Sequence, residues 1–168
     1  MLARILLFFR RVAAPDRWRS AARTDNPSRS KGELPMALQV ELLEHSFSDV
    51  AAQGEAFAAA FYERLFTLAP ETRALFAGTT MDQQEQKLLA ALVLVMEHLR
   101  EPEALAPVLK HLGDMHLAYD VTPEGFEVGG EALLETLRLF LGEQWTPDLH
   151  TAWAEAYGSI VTLMLADG

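Results

Sequence analysis

Apolar residues recur at helical spacing from Leu38 to the end of the chain, and this periodicity is its most constraining feature. No run shows the strict alternation of apolar and polar residues that indicates a half-buried strand. The segment EAFAAAFYERLFTLA at 55–69 predicts a helix that ends at Pro70. Pro70 suits the first position of a further helical turn, PETRALF, because its missing N–H is not needed there. The pattern predicts an all-α domain.

Local start signals place the other helices. A first helix is expected from Leu38 through Val50, and another over about 82–99, capped by Thr80 or Asp82. The next helix is started or broken by Pro102 and Pro107. Two more begin at the similar signals Thr122-Pro123-Glu124, from which the helix runs to about Phe140, and TPDLH at 146–150, which starts the last helix. The prediction is a bundle of about six to eight helices with short connections.

Length and composition limit the chemistry. At 168 residues the chain suits one domain with a sizeable core. It contains no cysteine, which excludes disulfides, thiolate metal sites and cysteine nucleophiles. A reducing compartment such as the cytoplasm fits this composition.

Charge divides the chain into two parts. Residues 1–35 carry eight basic and three acidic residues, a net charge of about +5, although the whole chain carries −10. The remainder is therefore strongly acidic and repels nucleic-acid phosphates, so nucleic acid is not an expected partner. We expect a basic N-terminal extension over residues 1–36 and one folded domain over 37–168.

The N-terminal extension has two main interpretations, a disordered tail or a translation start set too early, with Met36 as the true beginning. Its apolar run ILLFF is too short to span a bilayer. Leu2, Ile5, Leu6 and Phe9 share a helical face near arginines, so contact of residues 1–20 with a membrane surface is a less favoured alternative.

Two histidines, His111 and His116, lie on one predicted helix. Leu109, Leu112 and His116 share its apolar face, which predicts that His116 points inward. His111 is about 140° away around the helix, and we expect it to be exposed. No HxxxH or HExxH spacing supports a zinc site. An inward histidine is either a hydrogen-bonded core residue or an axial iron ligand, and this helix alone leaves both open.

Four motifs, taken in order, resemble those of bacterial single-domain globins and of the haem domain of flavohaemoglobins. They are FYERLF (61–66), PETRALF (70–76), HLAYDVTPEGFEVGGEALLETL (116–137) and AWAEAYG (152–158). The resemblance covers about residues 38–166. It implies a globin fold around a haem pocket, with heme b as cofactor.

The resemblance also implies roles for individual residues. His116 corresponds to the proximal iron ligand, and Leu112 presses on the haem edge one turn earlier. The family's remaining haem contacts fall on Phe76, which packs flat on the macrocycle, Leu88, an apolar gate, and Val121 and Phe126, which belong to the same pocket. Lys87 lies three residues after Gln84, near the same edge, where it either pairs with a haem propionate or is simply solvated. On the open side of the iron, Tyr62 corresponds to a tyrosine that donates to bound gas. Gln84 matches the distal glutamine, with Gln83 as the alternative if the preceding loop shifts register.

Two departures from the family bear on activity. Flavohaemoglobin-type globins have a tyrosine where this chain has Phe126, and a glutamate late in the last helix that falls beyond Gly168. In the family these groups make the proximal histidine more electron-rich, so oxygen-activating chemistry such as a peroxidase is in doubt. No residue is therefore assigned a catalytic role.

The expected function is reversible binding of dioxygen and other diatomic gases, for storage, delivery or sensing. The alternative is nitric oxide dioxygenation with a separate reductase, because the chain has no flavin or nicotinamide segment. A haem-free globin scaffold is a third class, disfavoured by the presence of His116, Tyr62 and Phe76.

Overall fold

A computed structural model describes residues 36–76, 80–117 and 123–165. Residues 1–35 of the predicted N-terminal extension lie outside these ranges, as does Val121, whereas Met36 begins the first described helix. The described residues form six α-helices and two short 3-10 helices, and none of them is in a strand. The prediction of an all-α domain is confirmed.

The helices follow one another with short connections. They are α1 (Met36–Ala51), α2 (Gly54–Leu68), α3 (Met81–Glu97), α4 (Pro102–Leu117), α5 (Pro123–Leu141) and α6 (Pro147–Leu165). The 3-10 helices are Pro70–Phe76, between α2 and α3, and Gly142–Gln144, between α5 and α6.

Proline is the first residue of three of the six helices, at Pro102, Pro123 and Pro147. Its fixed φ angle suits this position, and its missing N–H would have no intrahelical partner there. Helix α4 begins at Pro102 and continues through Pro107, which decides between the two predicted starts. A proline inside the helix removes one i→i−4 hydrogen bond, and the buried residues Leu105 and Leu109 on either side of it compensate through tertiary packing.

The core lies where α2 packs on α5 and where α4 packs on α6. Phe57 of α2 and Leu137 of α5 are fully buried. An ion pair between Arg64 and Glu135 links the same two helices near the surface. Helix α1 is joined to α6 by a buried hydrogen bond of 3.0 Å that the Trp153 indole donates to the Ser46 hydroxyl.

Within the described part of the chain, no helix combines the length and the apolar character needed to cross a bilayer.

Candidate functional site

Tyr62 lies at the centre of an aromatic cluster formed by α2 and the first 3-10 helix. Its ring centroid is 5.2 Å from that of Phe61, 6.1 Å from that of Phe66 and 5.6 Å from that of Phe76. The rings of Phe66 and Phe76 are themselves 5.3 Å apart, edge to face. Edge-to-face pairs add stabilisation beyond their buried area. The cluster therefore fixes the position of the Tyr62 phenol.

The Tyr62 hydroxyl is held in its protonated, donating form. Burial raises the pKa of Tyr62 far above its ordinary value, and the negative charge of Glu85 raises it further. The hydroxyl donates to the main-chain carbonyl of Gln84 at an oxygen–oxygen distance of 3.4 Å. This bond is long for an O–H···O contact and correspondingly weak. The donor can therefore turn to a better acceptor placed beside it.

Gln84 is the second polar residue at this site. Its side chain is completely buried, and neither its amide nitrogen nor its amide oxygen has a hydrogen-bond partner among the described residues. An unpaired buried polar group costs about 1–3 kcal/mol, so such a residue is unusual in a plain core. Gln83, the sequence alternative, is exposed. Of the two candidates, Gln84 is thus the one whose side chain is buried and whose main-chain carbonyl accepts from Tyr62.

Lys87 follows Gln84 by one turn of α3. Its residue surface is half-buried, but its ammonium nitrogen is inaccessible to solvent and has no partner among the described residues. A buried ammonium is stable only when it is paired with an anion. The Lys87 ammonium could therefore pair with an anionic group of a bound molecule.

The apolar side chains that were predicted as haem contacts are shielded from solvent to different degrees. Phe76 and Phe126 are buried, at 4% and 5% exposure, and Leu88 and Leu112 are half-buried. The carbonyl of Phe126 accepts a hydrogen bond of 2.6 Å from the Tyr157 hydroxyl of α6, which fixes the first turns of α5.

His116 occupies the last turn of α4, four residues after Leu112. Its side chain lies outside the described part of the structure, as does the whole of Val121. His111 on the same helix is exposed, as predicted. No group of three or more histidine and carboxylate side chains in the described residues could hold a bare metal ion.

Comparison with known proteins identifies the family. The sequence profile named Globin matches residues 59–164. The chain belongs to the globin family. The match reaches from the middle of α2 into the last turn of α6, and the predicted globin fold is confirmed.

Individual relatives of this globin carry the name flavohemoprotein. The chain is 37% identical to the one of Bordetella parapertussis over 114 residues, which are 67% of this chain and 28% of that protein. The flavohemoproteins of Rhizobium meliloti and Bacillus subtilis are 32% and 28% identical, over 68% and 72% of this chain and 29% and 31% of those proteins. The chain therefore spans less than a third of the length of these relatives. The resemblance predicted from the four motifs is confirmed.

Membership of this family implies a haem cofactor, and the described residues fit one. A haem needs apolar walls, an anion-binding group for its propionates and few polar groups beside its iron. Phe76, Leu88 and Leu112 supply walls, and the unpaired Lys87 ammonium supplies the cation. The unpaired amide of Gln84 and the hydroxyl of Tyr62 supply the polar groups.

Phe61 and Phe66, two of the three aromatic partners of Tyr62, were not predicted as part of the site. Phe66 is four residues after Tyr62, a spacing that places two side chains on one helical face, so this signal was available. The guanidinium of Arg73 stands 4.7 Å from the Phe66 ring centroid and covers the cluster from outside. The hydrogen bond between Tyr157 and Phe126 joins distant segments, and no local pattern indicates it.

Proposed function

We propose that this globin binds dioxygen and other diatomic gases reversibly at a heme b whose iron is ligated by His116, for oxygen storage, delivery or sensing. The observation that carries the proposal is the pair formed by Tyr62 and Gln84. A buried phenol donates to the main-chain carbonyl of a residue whose own side-chain amide is buried without a partner among the described residues.

Haem iron supplies the position at which a gas molecule binds. The Tyr62 hydroxyl would donate a hydrogen bond to the bound gas, since its raised pKa keeps it a donor at every physiological pH. The Gln84 amide has a free N–H donor for the same purpose. Leu88 and the aromatic cluster would exclude water, and exclusion of water slows the loss of an electron to the gas. Lys87 would pair with a propionate.

The proposal is tested by the lifetime of the reduced protein in air. We expect the haem-loaded ferrous protein to give a stable gas complex that releases dioxygen when the solution is purged. Oxidation of the iron within seconds of exposure to air would contradict storage and delivery.

A second candidate is nitric oxide dioxygenation supported by a separate reductase, and the flavin in the name of the relatives favours such a reductase. A flavohemoprotein contains both flavin and haem, and this chain matches less than a third of such proteins. Tyr62 and Gln84 would serve this reaction equally well. Steady consumption of nitric oxide in the presence of a flavin reductase and NADH would support it, and a single stoichiometric burst would exclude it.

The cellular setting follows from the same proposal. We assign the protein to the cytoplasm, where its lack of cysteine fits and where a soluble reductase would be available. We further propose residues 37–168 as the gas-binding domain and residues 1–36 as a separate basic extension.

A further inference from the structure

Gly113 marks the closest approach of α4 to α6. The residue is buried, and a β-carbon built on it would overlap the main-chain carbonyl of Met164, at a separation that real β-carbons do not show. Met164 is itself 6% exposed. The two helices therefore touch at main-chain distance at this point, a packing that only glycine permits.

The obstacle at Gly113 differs in kind from those at other glycines of the chain. A β-carbon at Gly54 would meet only the side chain of Leu89, at 3.2 Å, and one at Gly130 would meet the ring of Tyr157, at 2.6 Å. A side chain can rotate away from an added methyl group. The carbonyl of Met164 belongs to the main chain of the last turn of α6 and cannot rotate away by itself, so an added methyl group at 113 has to displace that turn or α4.

The contact lies directly before the residue assigned to the iron. Gly113 precedes His116 by three residues, which is about 4.5 Å along the helix axis. A helix transmits displacement over one turn because the N–H of each residue is hydrogen-bonded to the carbonyl four residues earlier. The position of the main chain at 116 is therefore fixed by the position of the main chain at 113.

We propose that Gly113 is a positioning residue for the iron ligand. Because it has no side chain, α4 packs directly against the main chain of α6, and this contact sets the distance between the main chain at 116 and the haem. The inference rests on the proposed function, since it assumes that His116 ligates the iron. Helix α6 then acts as the platform for the proximal side of the pocket, although none of its residues is a predicted haem contact.

The test is Gly113→Ala in the haem-loaded protein, read by the iron–histidine stretching band of the ferrous form. We expect this band to shift or broaden relative to the parent. We also expect the carbon monoxide association rate to change by roughly tenfold, because a misplacement of about 1 Å can alter a rate up to a hundredfold. Both readouts report on the bond between iron and ligand, which a purely structural role would leave unchanged.

Leu105→Ala is the matched control. Leu105 is buried on the same helix, but it is eight residues, or about 12 Å, before the contact at Gly113. This variant weakens the packing of α4 without adding an atom at the close approach. We expect a lower melting temperature with an unchanged iron–histidine band. A band equally shifted in both variants would overturn the proposal, because any loosening of α4 would then suffice.

A second pair of variants covers the case in which Gly113→Ala does not fold. Leu109→Ala removes a buried side chain one turn earlier and gives α4 room to tilt, so it is compared with the double variant Leu109→Ala/Gly113→Ala. A band that differs between these two supports the proposal. An identical band, or a double variant that stays unfolded while Leu109→Ala folds, overturns it, because Gly113 would then serve only general packing.

The parent protein separates this inference from the function on which it rests. If the ferrous parent shows no iron–histidine band, the assignment of His116 fails. If the parent shows the band and Gly113→Ala retains it at the same frequency, only the role of Gly113 fails.

Discussion

The hydroxyl of Tyr62 and the side-chain amide of Gln84 are buried polar groups that find little or no hydrogen bonding within the folded protein. Tyr62 makes one long hydrogen bond to a carbonyl, and the Gln84 side chain makes none among the described residues. A core built only for stability would hold apolar residues at both positions, since unpaired polar groups lower the free energy of unfolding. Their burial together therefore supports the proposed gas-binding role of this pair.

Tyr62→Phe tests the role of the phenol. If its O–H stabilises bound dioxygen, its loss removes about 0.5–1.5 kcal/mol, and the dioxygen dissociation rate rises roughly two- to tenfold. The measurement is stopped-flow displacement of dioxygen by carbon monoxide. Tyr157→Phe is the control for the loss of a phenol hydroxyl, because that hydroxyl already donates to the Phe126 carbonyl and is not proposed to contact the gas. Equal dissociation rates in the parent and Tyr62→Phe would contradict the assignment.

Lys87→Gln tests the proposed propionate contact. Loss of the buried ammonium should speed haem loss by roughly fivefold, the upper end of what a partly exposed ion pair contributes. The rate is followed by transfer of haem to a scavenging apoprotein. Lys110→Gln is the matched control, since the Lys110 ammonium is paired with Asp114 at 3.4 Å on the surface of α4. Equal rates of haem loss from the two variants would contradict the proposed contact between Lys87 and a propionate.

At the scale of a single helix, two threonines precede α3 and α6 in the same way but cap them differently. Thr146 accepts a hydrogen bond of 3.2 Å from the Leu149 amide, whereas the Thr80 side chain makes no capping bond. We expect Thr146→Ala to lower the free energy of unfolding by about 1 kcal/mol and Thr80→Ala to change it far less. Chemical denaturation of both variants measures the difference. If Thr80→Ala lowered the free energy of unfolding more than Thr146→Ala does, the assignment of a side-chain cap to α6 and not to α3 would be wrong.

The boundaries of the helices could be predicted from sequence because their signals are local. Proline at a first turn placed the starts of α5 and α6, and Pro70 placed the first 3-10 helix. The choice between Pro102 and Pro107 could not be made locally. It depends on the packing of α4 against α6, where burial of Leu105 and Leu109 outweighs the hydrogen bond that Pro107 removes.

The candidate site was only partly predictable for a related reason. Tyr62, Gln84 and Phe76 came from the order of the motifs, and the structure brings them together. The bond from Tyr157 to Phe126 and the contact of Gly113 with Met164 join segments far apart in sequence. No periodicity or spacing predicts such pairs, because they depend on how the helices cross.

For the whole molecule, alkaline pH should unfold the protein through its buried tyrosines. Burial raises the pKa of both Tyr62 and Tyr157 above the ordinary value of 10.0. Their contribution to stability is therefore complete below pH 10 and is lost as the pH rises further, because only the unfolded chain releases these protons. The free energy of unfolding should fall by up to about 1.4 kcal/mol per pH unit for each tyrosine.

Denaturant melts at a series of alkaline pH values measure this slope. The double variant Tyr62→Phe/Tyr157→Phe should have a shallower slope than the parent, even if it is less stable at neutral pH. Parallel curves for the two proteins would mean that neither phenol is shielded from ionisation in the folded state.

The most direct test of the account is the ferrous spectrum of the haem-loaded protein with and without the imidazole at position 116. We expect the parent to show a five-coordinate iron with an iron–histidine stretching band. His111→Ala is the control, because His111 is an exposed histidine on the same helix, and it should show the same band. We expect His116→Ala to lose that band and to recover it when free imidazole is added. An unchanged five-coordinate spectrum in His116→Ala would contradict the central claim that this residue holds the haem iron.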